Sequence, residues 1–145
     1  MSIVYYIENV KLPKQFKKRL VTQWIYKIVT DNGKLIGNIA YLFCNDEKIL
    51  EINKQFLQHD YYTDIITFDY TEDGKVSGDI FISLETVKTN SEKFKTAYEE
   101  ELLRVIIHGI LHLCGFKDKS PKEKRMMRAK EDEALQLLKH FLNTQ

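Results

Sequence analysis

The stretch RVIIHGILHLCGFKDK, Arg104–Lys119, decides how the rest of the chain is read. His108 and His112 stand four apart in an apolar run of helical spacing. On a helix they lie on one face, one turn above the other, so two imidazoles can reach one cation. Gly115 follows and is suited to end the helix in a left-handed conformation. The chain then turns back and offers Asp118. Two His from a helix and a carboxylate beyond a glycine turn make a three-point metal site with one position left open. Zinc suits this donor set, because it accepts imidazole nitrogen and carboxylate oxygen and its reactive sites keep three protein ligands plus water. The competing reading is a pair of satisfied core histidines. The glycine and aspartate at their particular spacing weigh against it.

That spacing is the one found in the metzincin zinc helix, H-E-x-x-H-x-x-G-x-x-H. Two positions differ. Gly109 stands where a protease has its general-base Glu, and Asp118 stands in place of the last His. The motif therefore argues for bound zinc and against an ordinary zinc protease, which would lack its proton acceptor.

The 145 residues suffice for one domain with a proper core, expected over residues 1–145. The formal net charge of +1 creates no global field that demands a nucleic acid, so any such partner must be argued from local clusters. The opening MSIVYYIENV lacks the basic start and cleavage site of a secretory signal, and no apolar run is long enough to span a bilayer. Cys44 and Cys114 have no disulfide-framework spacing, which suits a reducing cytoplasm. Cys114 falls about 200° round the helix from His112. It faces away from the metal as a small core residue.

Ile3–Glu8 has strand composition. Pro13 is expected to open a helix, PKQFKKRLVTQWIYKIV, with Phe16, Leu20, Trp24 and Ile28 in one apolar stripe and Lys14, Lys17, Lys18 and Arg19 opposite. Leu35–Cys44 is nearly all apolar and is expected as a central strand. Asn45-Asp46 caps a helix over Glu47–Leu57, with Ile49, Ile52, Phe56 and Leu57 toward the core. Two strands, Ile65–Tyr70 and Val76–Ser83, flank the hairpin signal Asp73-Gly74. Gly78 marks a bulge or a close backbone approach. Helices are predicted over Leu84–Lys95, over Tyr98–Cys114 and, after the Ser120–Glu123 capping box, to about Phe141 with Met126, Met127, Leu135 and Leu138 as apolar positions. The order β-α-β-α-β-β-α-α-α predicts one α+β domain: a four-stranded mixed sheet packed with about five helices, one of them metzincin-like.

Three blocks carry a resemblance. HGILHLCGFKD resembles the H-G-x-L-H-L-x-G-Y-D-H signature of the YbeY family, metal-dependent endoribonucleases of bacterial ribosomal RNA maturation. INKQFLQHDYYTDIITF is similar to the family's L-N-x-x-Y-R-x-x-D-x-x-T-D-V-L-S-F, and GDIFIS to its G-D-I-x-I-S strand. Order and spacing agree, and the resemblance covers roughly residues 35–141. It implies a single-strand-specific endoribonuclease that matures the 3′ end of 16S rRNA with a zinc-activated water. One Zn2+ would be held by His108, His112 and Asp118, and the partner would be ribosomal RNA in the small ribosomal subunit. Two departures stand out. Asp118 replaces the family's third His, which takes one positive charge off the site. Leu57 replaces an Arg associated with phosphate, leaving His59 and Lys54 as candidates for that contact.

RNA would be held mainly through its phosphates. Lys117, Lys119, Lys122, Lys124, Arg125 and Arg128 follow the metal loop and form the candidate footprint; Lys117, Lys119, Lys122 and Arg125 are its principal members. A solvated helix face accounts for the same residues, and Glu131, Asp132 and Glu133 are read as diluting the cluster. Thr63 and Asp64 either shape the pocket or cap a strand. Tyr61 and Tyr62 could stack on bases or pack at a rim. Two other functions fit the residues: a zinc hydrolase of another substrate, including peptides, and a ribosome-associated binding protein with reduced catalysis.

Overall fold

The computed structural model describes residues 1–57 and 63–143. His59, Tyr61 and Tyr62 lie outside the described residues. Four strands, β1 (Ser2–Ile7), β2 (Leu35–Cys44), β3 (Ile65–Asp69) and β4 (Lys75–Ser83), form one sheet in the order β1-β2-β4-β3. β1, β2 and β4 are parallel, and β3 closes the far edge antiparallel to β4. The helices are α1 (Lys18–Asp31), α2 (Asp46–Ile52), α3 (Leu84–Phe94), α4 (Tyr98–Leu113) and α5 (Pro121–Asn143). The α+β class and the mixed four-stranded sheet agree with the reading from sequence.

The main core lies on one face of the sheet. Tyr41, Phe43, Ile80 and Ile82 project from β2 and β4 into residues of α1, α3, α4 and α5. A smaller cluster of Cys44, Ile49, Ile52 and Ile66 joins α2 to the other face. The helix α4 is central: Leu102, Val105, Ile106, Ile107, Ile110 and Leu111 are all buried. Because both flanks of α4 are packed, burial at about 25 cal/mol per Å2 of apolar surface fixes its orientation strongly. Two polar ties reinforce it. The Tyr41 hydroxyl donates to the Ile106 carbonyl at 3.0 Å, and Trp24 Nε1 on α1 donates to Ala134 O on α5 at 2.7 Å.

The structure corrects two boundaries and one core position. The helix α1 begins at Lys18, not Pro13. Pro13 and Phe16 close a turn instead, and Phe16 packs edge-on against Tyr5 and Phe43, with centroids 5.9 and 5.7 Å away. That aromatic contact outweighs the helical periodicity. The helix α2 ends at Ile52 and widens into a π-helical segment, Asn53–Leu57. The wider turn shifts the helical phase, so Phe56 and Leu57, expected in the core, are 57% and 38% exposed while Asn53 is buried. In α5 the core takes Met127 and leaves Met126 half exposed. Both cysteines are free, and burial pushes their thiols up, to about 12 for Cys44 and about 11 for Cys114. No helix among the described residues is long and apolar enough to cross a membrane.

Gly78 is the close approach anticipated from its place in a strand. A Cβ there would collide with the Phe68 carbonyl of the paired strand β3 and meet Leu113 Cδ2 at 3.0 Å. The register between β2 and β4 also slips by one residue beside it, between Ile36 and Ile39. Gly78→Ala is expected to destabilise the fold by about 2 kcal/mol through overpacking, lowering the Tm by roughly 6 °C. An unchanged melting curve would contradict this packing.

Candidate metal centre

The site forms where α4 stops. Glu99, Glu100 and Glu101 occupy its first turn, which suits the positive end of the helix dipole. At the other end Cys114 is the last half-helical residue and Gly115 has φ of +107°. Gly115 N–H donates to His112 O at 2.9 Å, and Phe116 N–H donates to Leu111 O at 3.0 Å. This is the Schellman arrangement, which reverses the chain over the end of the helix. A short segment then leads into α5, where the Ser120–Glu123 capping box closes reciprocally: Glu123 N–H to Ser120 Oγ at 3.1 Å, Ser120 N–H to Glu123 Oε1 at 2.9 Å. Asp118 is held between these two caps.

The reversal brings Asp118 Oδ2 to 3.2 Å from Nε2 of both His108 and His112. The donor atoms of all three residues lie within 4.8 Å of one another, and the group could hold a metal ion. The donors suit a borderline divalent ion: two imidazole nitrogens and one carboxylate oxygen. All three side chains keep partial contact with solvent. They open on a cavity of about 460 Å3 whose wall includes Asn53, Leu57, Thr63 and Asp64. Among the described residues no other set of three metal-ligating side chains converges this way.

A fourth residue stands behind the site. Glu131 of α5 is only 5% exposed, and its Oε2 lies 2.6 Å from His108 Nδ1. Its Oε1 accepts from Arg104 at 3.0 Å, and Arg104 also donates to Asp132 at 2.8 Å. With Nδ1–H donated to Glu131, a neutral His108 leaves the Nε2 lone pair free for a metal ion. This carboxylate–histidine arrangement orients metal-binding imidazoles and raises their basicity. Burial works against charge on His108. The Glu131 hydrogen bond and the charges of Glu131, Asp118 and Asp64 outweigh it, so the pKa rises above its usual value. Asp64 is raised by burial, which the nearby His108 partly offsets. Its backbone carbonyl accepts from Ser83 N–H while its side chain lines the cavity, so it both anchors a strand start and shapes the pocket.

Glu131, expected from the sequence to dilute a basic cluster, is instead a buried partner of His108. The missed signal was positional. Met127, Glu131, Ala134, Leu135 and Leu138 are the buried residues of α5, so the glutamate interrupts an apolar stripe at helical spacing. A charge in a core register needs a partner. Lys117, Lys119, Lys122 and Arg125 are all exposed and line none of the cavities around the three donors. Lys54 lies on the π-helical segment beside the larger cavity.

Gly109 has a structural reason. A Cβ there would meet Ile65 Cδ1 and Ile80 Cδ1, both at 3.1 Å, because the helix presses directly on the sheet at this point. A glutamate at 109 would be driven into the core.

The family profile described as Endoribonuclease YbeY matches residues 4–139. The chain belongs to this family. It is 62% identical over 139 residues to Endoribonuclease YbeY of Bacteroides fragilis, covering 96% of this chain and 99% of that one. Endoribonuclease YbeY of Parabacteroides distasonis is 59% identical over 138 residues, covering 95% and 96%. That of Porphyromonas gingivalis is 52% identical over 144 residues, covering 99% and 95%. The solution structure of TM1509 from Thermotoga maritima superposes with a TM-score of 0.69 at 26% identity, over 99% of this chain and 93% of that one. The YbeY assignment is thus carried by whole-length likeness as well as by the three short blocks.

The His108–Glu131 pair makes a prediction about metal binding. Replacing Glu131 with Gln is expected to weaken affinity for a divalent metal about 10–100-fold, measured with zinc as the probe by competition with a chromophoric chelator. In the wild type a proton competes for His108, so affinity falls as pH drops through a value above the ordinary histidine 6.5. In Glu131→Gln the supporting charge is gone, His108 loses its proton more easily, and that acid fall moves to lower pH. Unchanged affinity and an unchanged acid limb would refute the role given to Glu131.

Proposed function

We propose that this chain is a zinc-dependent endoribonuclease acting on single-stranded ribosomal RNA precursors, at the 3′ end of 16S rRNA within the assembling small ribosomal subunit in the cytoplasm. The observation that carries the reading is the convergence of His108, His112 and Asp118 on one point at the floor of an open cavity, in a chain of the YbeY family. The three residues are assigned as the metal ligands. When bound there, a zinc ion supplies Lewis acidity, which brings the pKa of a water to about 7 and stabilises charge developing at phosphorus.

The remaining work falls to the protein's own side chains. Glu131 holds the tautomer and orientation of His108 through Nδ1, and Arg104 balances the buried carboxylate charge. Asp118 brings a negative charge where a third imidazole would bring none. It would lower the electrophilicity of a metal held there. Asp64, partly buried in the cavity wall, adds a second carboxylate beside the donors. Lys117, Lys119, Lys122 and Arg125, exposed past the loop, attract the RNA backbone by charge.

Peptide hydrolysis is disfavoured, since position 109 points into the sheet and cannot carry a general base toward the site. A structural zinc would be enclosed by four protein ligands, and three converge among the described residues.

Purified protein is expected to cut precursor rRNA at discrete single-stranded positions, to carry about one zinc per chain, and to leave casein intact. His112→Ala should lose bound zinc and at least 100-fold in cleavage rate, an effect within the range of removing a metal's Lewis-acid contribution. Equal cleavage by the variant would place the activity elsewhere.

A further inference from the structure

Two cavities meet at His108 and Asp118. The larger is the 460 Å3 space described above; the second has a volume of about 270 Å3, and His108, Asp118, Asp64 and Ile65 belong to both. On the RNA-cleaving reading, which this inference extends, a phosphodiester at the donors has one nucleotide on each side. The smaller cavity then receives the base of one of them. At roughly 30 Å3 per water it holds about nine waters, close to the heavy-atom count of a single nucleobase.

Its lining is specific. Ile65 and Val105 give apolar walls against which the faces of a ring can lie. The polar groups are Asp64, Asp118, Glu101, Glu131, Arg104 and Arg128. Glu131 and Arg104 are committed to one another and to His108 and Asp132. Glu101 is different. It is 6% exposed, lines the cavity, and accepts no hydrogen bond from the described residues; burial and the charges of Asp64 and Glu131 raise its pKa, which the nearby charges of Arg104 and Arg128 partly offset.

Carboxylates outnumber guanidiniums here, so a phosphate is repelled. A second cation lacks a converging donor set among the described residues. The ligand that fits is neutral and flat and carries N–H donors along one edge. Ionised carboxylate is acceptor-only, with two oxygens side by side. Guanine offers two adjacent donors, N1–H and N2–H, to such a pair; adenine, cytosine and uracil each place an acceptor next to a donor. Single-stranded RNA presents this Watson–Crick edge freely. We infer that the smaller cavity is a guanine-reading pocket in which the Glu101 carboxylate selects the base flanking the cleaved bond.

The test uses hexauridine RNA with one central position as guanine, inosine or adenine, confirmed intact by gel after each titration. Binding to full-length protein is followed by fluorescence anisotropy, with zinc and with EDTA. Inosine lacks the N2 amino group. Guanine is expected to bind about tenfold tighter than inosine or adenine, the worth of one hydrogen bond to a charged group. Glu101→Gln should erase that difference while keeping the wild-type melting temperature and zinc content. Equal affinities for the three bases in the wild type, or discrimination that survives in Glu101→Gln, would overturn the inference. Should that variant fail to fold, the wild-type comparison alone decides. Junction mapping on unmodified RNA separates the two readings. Cleavage without a guanine at the junction removes the pocket and keeps the nuclease. Guanine discrimination by a protein that cuts no RNA removes the nuclease and keeps the pocket.

Discussion

The hydrogen bond between His108 and Glu131 is the contact on which the rest depends. It joins the two helices that carry the site, across a separation of 23 residues, at 2.6 Å and almost out of water. A carboxylate so placed would be costly alone, since losing one partner of a buried charged pair costs about 3–5 kcal/mol. Arg104, one turn earlier on α4, supplies the second partner and is itself shared with Asp132. The result is a short polar chain set into an otherwise apolar helix interface. It fixes the roll of α5 on α4, and with it the position of Asp118 in the loop that leads into α5. The same bond decides which imidazole nitrogen of His108 faces the site.

The location follows from packing and from helix electrostatics. The helix α4 is buried along its length and pinned at Ile106 by Tyr41, so its last turn cannot drift. That turn is the negative end of the helix dipole, which favours a cation nearby. The glycine reversal at 115 and the Ser120–Glu123 box then hold a loop of only a few residues between two capped ends. Asp118 thereby meets both rings with little conformational freedom left to lose. The sheet contributes from the other side: Ile65 and Ile80 press on Gly109, and Asp64 at the head of β3 forms a wall of the cavity.

Local patterns were legible in the residues, and contacts over long separations were not. The four-residue spacing of the histidines, the glycine after them and the capping box are all short-range. Each specified its geometry without reference to the rest of the chain. A four-stranded mixed sheet with one apolar central strand and one hairpin was legible; the strand order β1-β2-β4-β3 was not. Phe16 was misplaced because its partners, Tyr5 and Phe43, are distant in sequence. Phe56 and Leu57 were misplaced because a π-helical turn inserts a residue into a phase that periodicity assumes constant. Glu131 stands in the apolar register of α5 without naming its partner, and Glu101 looks like an ordinary surface acid. Only the neighbouring helix reveals that one holds a histidine and the other faces a cavity.

X-ray absorption at the zinc edge tests the centre most directly. Protein loaded with one equivalent of zinc should give a shell of nitrogen and oxygen alone at about 2.0–2.2 Å, with outer-shell scattering from two imidazoles. One light-atom neighbour should be lost in Asp118→Ala. Sulfur scattering near the roughly 2.3 Å of a thiolate ligand, or a spectrum unaltered by that substitution, would contradict the site built from His108, His112 and Asp118.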